Sequence, residues 1–305
     1  MKILITGANG LLGQKLVALI APHAKINLIA TSRGEDKIFY NLPMYRYRPL
    51  DVIDQEQVEE VIGQEKPDVI IHTAALTKVD YCERHQEICR RVNVEAVDHL
   101  VQAAKKYDSF LIHLSTDFIF SGKKRLLTED EPIGPVNYYG ESKLEAEQII
   151  MDSGIEYAIV RTAIVYGIVP HLSRSNIILW VRDSLKKHKT VHVVDDQYRT
   201  PTLAEDLAMG CFLIAKQRAQ GVFNISGEEL LTPYDMAQMT ADYFKLDNNL
   251  IVRTDSSQFK QPAARPLETG FNIEKAKKVL GYRPHTFLQG IQILDEQMRE
   301  IEALT

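Results

Sequence analysis

The chain has 305 residues, of which 45% are hydrophobic and 25% charged, and its formal net charge is −5. This is the composition of an ordinary globular protein. The negative net charge argues against a nucleic-acid partner, because such proteins present a basic face. No apolar run approaches the roughly 20 residues that cross a bilayer, and the first residues form a strand-like segment without a leader pattern. We therefore expect no membrane partner and a cytoplasmic location.

Three cysteines occur, at Cys82, Cys89 and Cys211, and none forms a CxxC pair. Cys82 and Cys89 fall seven residues apart on what is predicted to be one helix, with no second ligand pair downstream. This spacing favours buried free thiols over a metal site. Unpaired cysteines are typical of a reducing compartment, and we expect no bound metal.

Short apolar runs alternate with amphipathic helical patterns through the first half of the chain. In chain order the predictions are strand 2–6, helix 10–21, strands 26–32 and 45–50, helix 55–64, strand 69–72, helix 88–106, strand 110–115, helix 139–152 and strand 157–161. Apolar strands separated by helices predict a parallel sheet that is covered on both faces. We therefore predict an α/β fold with a Rossmann-type, doubly wound parallel sheet.

The pattern changes after Gly167, where helices dominate. Helices are predicted at 175–187, 203–216, 233–243, 273–280 and 287–298, and strands at 191–194 and 222–225. The strand at 222–225 is apolar enough to be central, so we expect the chain to return there to the first sheet. The predicted organisation is a nucleotide-binding domain at 1–167, with its return strand near 221–226, and an interleaved, smaller, mostly helical substrate-binding lobe at 168–305.

A glycine-rich turn, Gly7-x-x-Gly10-x-x-Gly13, lies between the first strand and the first helix. In dinucleotide-binding turns the first glycine makes the turn, the second lets the backbone approach a pyrophosphate, and the third lets the helix pack closely on the sheet. The helix N-terminus then faces the negative charge. The motif in this context predicts a nicotinamide dinucleotide site.

The end of the second strand bears on the choice between NADP and NAD. NAD sites usually place a carboxylate there for the ribose, whereas an arginine accommodates the 2′-phosphate of NADP. Here the strand ends in Ser32 and Arg33, with no acid at the tip. NADP is therefore favoured as the cofactor, while Glu35 and Asp36 just beyond keep NAD possible.

A tyrosine and a lysine lie four residues apart, at Tyr139 and Lys143, on one face of a predicted helix. An ordinary phenol has a pKa of about 10, and a neighbouring ammonium favours the phenolate and makes the phenol a better proton donor at neutral pH. Thr116 follows the strand 110–115 at the carboxyl end of the sheet, where sites in such folds lie. Thr116, Tyr139 and Lys143 are therefore the candidate catalytic residues.

These motifs together resemble the extended short-chain dehydrogenase/reductases, and specifically the dTDP-4-dehydrorhamnose reductase family. The resemblance covers nearly the whole chain. It rests on Gly7-x-x-Gly10-x-x-Gly13-Gln14, His72–Ala75, Val79-Asp80, Val92-Asn93, Ser115–Gly122, Pro135–Glu147, Arg161 to Gly167, Val194 to Thr202 and Arg265-Pro266.

The resemblance implies reduction of a 4-keto nucleotide sugar, with Tyr139 as proton donor, Lys143 orienting the nicotinamide ribose and Thr116 contacting the substrate oxygen. The implied cofactor contacts are Gly7, Asn9, Gly10, Leu11, Leu12, Gly13, Ser32, Arg33, Asp51, Val52, Thr73, Ala74, Ala75, Asn93, Ser115, Tyr139 and Lys143. The implied substrate contacts are Thr77, Val79, Asp117, Phe118, Ile164, Arg199 and Arg265, with Arg265 placed at the phosphates. Members of this fold often form homodimers.

Two positions depart from the family pattern. Ile164 stands where the family usually carries a pocket tryptophan, and Tyr198-Arg199 replaces a segment that commonly ends in glycine. These differences leave the reaction type better supported than the exact sugar.

Proteins that resemble this family have three alternative functions. A dehydratase would need a second carboxylate after Thr116-Asp117, where this chain has Phe118. An epimerase that recycles bound NAD stays open. So does a non-catalytic NADP-binding regulatory subunit similar to the methionine adenosyltransferase β subunit, which has a related Gln-x-Arg-x-Pro-Thr stretch. His113 is interpreted as a core histidine. Trp180 could shield a base ring, but packing is the favoured role.

Overall fold

A seven-stranded parallel sheet forms the centre of the described part of the molecule, which in this computed structural model comprises residues 1–38, 44–170, 176–259 and 261–304. Its strands are β1 Lys2–Thr6, β2 Asn27–Ser32, β3 Tyr45–Pro49, β4 Val69–His72, β5 Phe110–Thr116, β6 Tyr157–Thr162 and, later in the chain, β10 Gly221–Asn224. The spatial order is β10-β6-β5-β4-β1-β2-β3. The predicted α/β, doubly wound fold is confirmed.

Helices cover both faces of this sheet. They are α1 Leu11–Ile20, α2 Gln55–Glu65, α5 Ala96–Tyr107, α6 Tyr138–Asp152 and, from the second half, α8 Ala204–Gln217 and α10 Glu274–Leu280. Two short helices, α3 Val79–Arg84 and α4 Gln86–Arg90, pack on α6. Successive residues of a strand point to opposite faces, and accordingly Ile3 and Ile5 pack with α1 and α8 while Leu4 packs with α2 and α5. The near-continuous apolar strands follow from this burial on both faces.

The second lobe is built from the rest of the chain. Its remaining elements are β7 Val165–Tyr166, α7 Ile177–Lys186, β8 Val191–Val194, β9 Thr202–Leu203, α9 Pro233–Phe244, β11 Ile251–Thr254 and α11 Phe287–Leu304. Two parallel strand pairs, β8 with β11 and β7 with β9, supplement its helices. The sequence did not indicate β7, β9 or β11, because each is short and β11 carries no regular alternation.

The return strand was predicted correctly in position but not in its place within the sheet. β10 joins β6 in parallel, yet it lies at the edge of the sheet instead of its interior. Its apolar character reflects cover on both faces, with Phe223 only 1% exposed. Side chains bind its open edge: Lys275 donates to the carbonyl of Val222, and the amide of Asn224 donates to Glu129. The lobe boundary at residue 167 stays a prediction.

The predicted helix over 88–106 is interrupted. A π-helical turn over Arg91–Glu95 separates α4 from α5, and His85 separates α3 from α4 with a non-helical backbone. Cys82 and Cys89 are therefore on two helices, which corrects the single helix expected for them. They and Cys211 are buried free thiols, as predicted. Among the described residues, no helix has the length and apolar character of a membrane span.

Candidate active site

The glycine turn has the geometry that a dinucleotide site requires. Gly7 adopts φ +70°, and a Cβ there would lie 2.7 Å from the amide nitrogen of Ala74. A Cβ on Gly13 would lie 2.3 Å from the carbonyl oxygen of Gly7, so this glycine permits the close approach of α1 to the turn. Gly10 is more open, since its Cβ would meet only that same carbonyl oxygen, at 3.2 Å.

The N-terminus of α1 begins after Gly10 and has no side-chain cap. Its amides and dipole are therefore available to an anion, which fits the pyrophosphate of a dinucleotide. Ser115 gives a second indication: its hydroxyl oxygen is buried at the end of β5 and has no hydrogen-bond partner within the described chain. A buried polar atom normally has a partner, so the residues present fit a bound dinucleotide.

The end of β2 and the loop after it carry the residues that are expected to face the ribose of the cofactor. Ser32 is half-buried, and Arg33 is exposed and makes no ion pair with any described residue. Asn9 fixes the loop: its side chain donates to the carbonyl of Glu35 at 2.9 Å and accepts from the amide of Lys37 at 3.0 Å. The side chain of Asp36 accepts a hydrogen bond from Tyr45 at 2.8 Å.

The remaining expected cofactor contacts follow neighbouring strands. β4 lies between β1 and β5, and the carboxyl ends of parallel strands meet at one edge of a sheet. Thr73 donates from its hydroxyl to the carbonyl of Thr6 at 2.7 Å. The half-buried residues of this group are Leu11, Leu12, Asp51, Ala74 and Ala75, whereas Val52 is buried in the core beside α2.

Asn93 lies in the π-helical turn and is 1% exposed. Its side-chain amide accepts from the amide of Leu76 at 2.8 Å and donates to the hydroxyl of Ser142 at 3.2 Å. Asn93 thus ties the loop after β4 to α6. The expected direct cofactor contact stays a prediction, because the contacts seen are structural.

Tyr139 and Lys143 lie on the first two turns of α6, where both are buried. Asn137 caps this helix by accepting from the amide of Gly140 at 2.9 Å. The ring of Phe118 meets the ring of Tyr139 edge-on, with centroids 5.7 Å apart. A Cβ on Gly140 would lie 2.2 Å from the carbonyl oxygen of Phe118. The start of α6 therefore packs directly on the turn that follows Thr116, and the three candidate catalytic residues share one region.

Lys143 donates a hydrogen bond from its Nζ to Nε2 of His113, at 3.0 Å. Burial lowers the pKa of Lys143 to about 8, opposed by the nearby carboxylate of Glu147. His113 stacks on His72, whose Nδ1 lies 2.7 Å from the hydroxyl of Thr6. Burial also lowers the pKa of both histidines, that of His72 to about 3, and Lys143 adds to this effect. Both imidazole rings are therefore neutral, and that of His113 accepts the hydrogen bond from the ammonium of Lys143.

His113 was interpreted as a core histidine, and its complete burial confirms this. Its contact with Lys143 was not anticipated. The signal was present in the sequence: His113 and Ser115 are two residues apart on a strand and therefore share a face.

Asp117 and Arg199 form a buried ion pair, with 2.9 Å between Oδ2 and Nε. Burial raises the pKa of Asp117, opposed by Arg199, and lowers that of Arg199, opposed by Asp117. Thr116 donates to Oδ1 of Asp117 at 3.2 Å, and Thr269 donates to Oδ2 at 2.5 Å. The sequence suggests that Arg199 adds a cation to the pocket. In the structure its guanidinium is buried, and a carboxylate and backbone carbonyls surround it.

The other expected substrate contacts are spread around this pair. Arg265 is half-buried and pairs with Asp80 at 2.9 Å. Thr77 is exposed, and Val79 and Phe118 are half-buried. Ile164 is half-buried between β6 and β7 at φ +35°, a conformation that β-branched residues rarely adopt. Its expected place in the substrate pocket stays a prediction.

Trp180 corrects a sequence interpretation. Instead of packing inside, its side chain is 41% exposed on α7 and lines a pocket of the second lobe. The same pocket is lined by Phe259, which is 42% exposed, and by His192, Gln197 and other residues of the lobe. Two aromatic rings on an open pocket form a surface suited to a flat ring system.

Comparisons with known proteins agree with this geometry. The family model described as "RmlD substrate binding domain" matches residues 1–299. The chain is 30% identical, over 253 residues, to the methionine adenosyltransferase 2 subunit beta of Bos taurus, covering 81% of this chain and 73% of that protein.

Two solved structures are similar over almost their whole length. One is a dTDP-4-dehydrorhamnose reductase from Clostridium acetobutylicum, with a TM-score of 0.85, 26% identity and coverage of 98% of this chain and 100% of that one. The other is a dTDP-4-dehydrorhamnose reductase from Bacillus anthracis in complex with NADP, with a TM-score of 0.83, 25% identity and coverage of 97% and 99%. The resemblance inferred from the sequence is confirmed. The chain belongs to the RmlD substrate binding domain family and has the extended short-chain dehydrogenase/reductase fold of NAD(P)-dependent oxidoreductases.

Proposed function

We propose that this protein reduces the 4-keto group of a nucleotide sugar with NADPH, and that Tyr139 donates the proton. The observation that carries the proposal is the grouping of Tyr139 and Lys143, at the start of α6, against the turn that follows Thr116. This group lies at the same edge of the sheet as the open glycine turn. Sites in doubly wound sheets lie at this edge.

Each of the three candidate catalytic residues has a separate part in the proposed reduction of the ketone. A bound nicotinamide supplies the hydride. The phenol of Tyr139 gives a proton to the ketone oxygen as negative charge develops there, and the ammonium of Lys143 favours the resulting phenolate. The hydroxyl of Thr116 orients the ketone by a hydrogen bond. Burial of all three side chains keeps water from competing.

NADPH is the favoured cofactor because Arg33 offers an exposed cation just after β2, and no described residue forms an ion pair with it. A guanidinium suits phosphate recognition. Asp36, one of the two carboxylates that keep NAD possible, already accepts from Tyr45. The complex of the Bacillus anthracis reductase with NADP supports the same choice.

The pocket lined by Trp180 and Phe259 is proposed to hold the base of the nucleotide, with Arg265 at the phosphates. Its aromatic rings suit stacking on a base. The exact sugar stays open, since Ile164 replaces the tryptophan common in the family.

The test is an absorbance assay of NADPH oxidation with a dTDP-4-keto-6-deoxy-L-sugar, comparing the wild type with Tyr139→Phe. We expect turnover by the wild type and a loss of about 10²-fold or more in kcat for the variant, because the proton donor is removed. NADPH should still bind the variant, as measured by fluorescence titration. Replacing NADPH by NADH should raise KM for the cofactor. Equal turnover by wild type and variant would contradict the assignment of Tyr139.

A second candidate is a regulatory subunit that binds NADP without turnover. It is favoured by the 30% identity to a protein named methionine adenosyltransferase 2 subunit beta. Tight NADPH binding by the wild type without turnover of any 4-keto nucleotide sugar, together with copurification of a partner enzyme, would favour this candidate. The presence of Tyr139, Lys143 and Thr116 supports the enzyme.

We further propose a cytoplasmic location, which the three buried free thiols support. The homodimer implied by the sequence resemblance stays a prediction.

A further inference from the structure

Residues 263–269 form a strap that crosses three elements of the candidate site. Arg265 pairs with Asp80 on α3, at 2.9 Å. The carbonyl of Ala264 accepts a hydrogen bond from Asn137, the cap of α6, at 2.8 Å. The hydroxyl of Thr269 donates to Asp117 at the end of β5. The strap therefore contacts the elements that carry Tyr139, Lys143 and Thr116.

Arg199 is the buried group that holds this strap from beneath. Its Nη1 donates to the carbonyls of Leu267 and Tyr198, each at 2.8 Å, and its Nη2 donates to the carbonyl of Pro266. Its Nε is the atom that pairs with Asp117. One guanidinium, 2% exposed, thus satisfies two carbonyls of the strap and one carboxylate beside Thr116.

A planar fork is needed for this arrangement. Arginine presents five donors in fixed directions, whereas a lysine ammonium is a point charge on a flexible stem. The segment around Arg199 is itself fixed, since the amide and carbonyl of Arg199 both bond to Leu231, at 3.0 and 2.8 Å. The position of the strap relative to Thr116 is therefore set through one rigid side chain.

We propose that Arg199 is a positioning residue for substrate, which fixes the distance between Arg265 on the strap and Thr116 at the ketone through its bonds to the strap carbonyls and Asp117. This rests on the proposed function, in which Arg265 holds the phosphates and Thr116 the ketone oxygen of one molecule. The glycine turn that would hold the cofactor contacts neither the strap nor Arg199 in the hydrogen bonds of the described residues. Loss of Arg199 therefore weakens the binding of the sugar nucleotide and leaves that of the cofactor unchanged.

The test uses a double substitution, Arg199→Met with Asp117→Asn, because removing the arginine alone leaves a buried carboxylate unpaired and endangers the fold. We expect KM for the keto sugar nucleotide to rise about tenfold or more, since small misplacements of bound groups have large effects. The dissociation constant for NADPH should change by less than about twofold, within the scatter expected of distant sites. Amide hydrogen exchange across 263–269 should become faster.

Two single variants separate the causes. Asp117→Asn keeps the bonds of Arg199 to the strap, so strap exchange should stay close to that of the wild type and KM should rise less than in the double variant. Arg125→Met is the matched control: Arg125 also contacts the strap, through Glu268 at 2.9 Å, but from the solvent side at 47% exposure. It should change KM by less than about twofold, because exposed pairs contribute little.

The outcomes are distinct. A wild type that binds NADPH but turns over no keto sugar would contradict the proposed function. Amide hydrogen exchange of residues 263–269 in the double variant would then still test whether Arg199 holds the strap. With an active wild type, the proposal is overturned if the double variant keeps its KM, if Arg125→Met raises KM equally, if Asp117→Asn alone reproduces the double variant, or if NADPH affinity falls as much as substrate affinity.

Discussion

Lys143 is a buried cation at the start of α6. Its ammonium donates to Nε2 of His113, and burial already lowers its pKa to about 8. Besides His113, the groups that influence Lys143 are Glu147 on its own helix, His72 on β4 and Cys89 on α4. Since a neutral imidazole stabilises the ammonium by accepting a hydrogen bond from it, His113 opposes the effect of burial.

We therefore expect His113→Leu to move the alkaline limb of the pH profile of kcat/KM to lower pH. The ammonium is present below its pKa and is lost as pH rises through it. Without the acceptor the charged form is less stable, so the pKa falls further below 8 and activity is lost at lower pH than in the wild type. The measurement is kcat/KM from pH 6 to pH 10 under saturating NADPH.

His113→Gln is the control, because its amide oxygen can occupy the place of Nε2 and accept the same bond. In this variant the alkaline limb should lie close to its position in the wild type. An unchanged limb in His113→Leu would show that the histidine has only a packing role. Thermal unfolding of each variant is followed by circular dichroism to exclude loss of the fold at the assay temperature.

At the scale of elements, α6 carries two of the three candidate catalytic residues, and its start is set by Asn137. The side chain of Asn137 accepts from the amide of Gly140 and donates to the carbonyl of Ala264 on the strap. Asn137→Ala removes both bonds, so we expect a loss of about 1–2 kcal/mol in unfolding free energy together with a fall in kcat/KM. Urea unfolding and steady-state kinetics measure the two effects.

Asp54→Ala is the matched control for this cap. Asp54 caps α2 by accepting from the amide of Gln57 at 3.1 Å, and α2 carries no candidate catalytic residue. It should lose a similar unfolding free energy and keep its kcat at saturating NADPH. Equal effects of the two variants on kcat would mean that the start of α6 is not special for catalysis.

Strands and helices with a regular hydrophobic pattern were predictable from the sequence, and short elements were not. β1, β2, β4, β5 and β6, with the helices α1, α2 and α6, follow from apolar runs and helical spacing, because burial leaves a strong pattern. The break at His85 and the π-helical turn at Arg91–Glu95 left no such pattern, since both come from tertiary contacts such as that of Asn93 with Ser142. The pairing of Arg199 with Asp117 was not predicted either, because these residues lie far apart in the sequence and only the tertiary fold brings them together.

At the scale of the whole molecule, the second half of the chain contributes to the first sheet. β10 pairs with β6, and α8 packs with α1 in the same core as β1 and β5. Lys15 on α1, only 4% exposed, pairs with Glu205 on α8 at 2.7 Å. Removing the second half would expose this core, so the two lobes should unfold together.

Phe223 on β10 tests this cooperativity. It is 1% exposed within the first core, and Phe223→Ala should cost about 3–5 kcal/mol. Trp180 is the single tryptophan of the sequence and lies on α7 in the second lobe, so its fluorescence reports a place outside the first sheet. We expect the urea midpoints from Trp180 fluorescence and from circular dichroism to coincide in the wild type and to fall together in the variant.

Val279→Ala, at a side chain 51% exposed on α10, should leave both midpoints nearly unchanged. A fall in the circular dichroism midpoint without a change in that of Trp180 would mean that the lobes unfold separately, and that β10 belongs to the first lobe in stability as well as in sheet order.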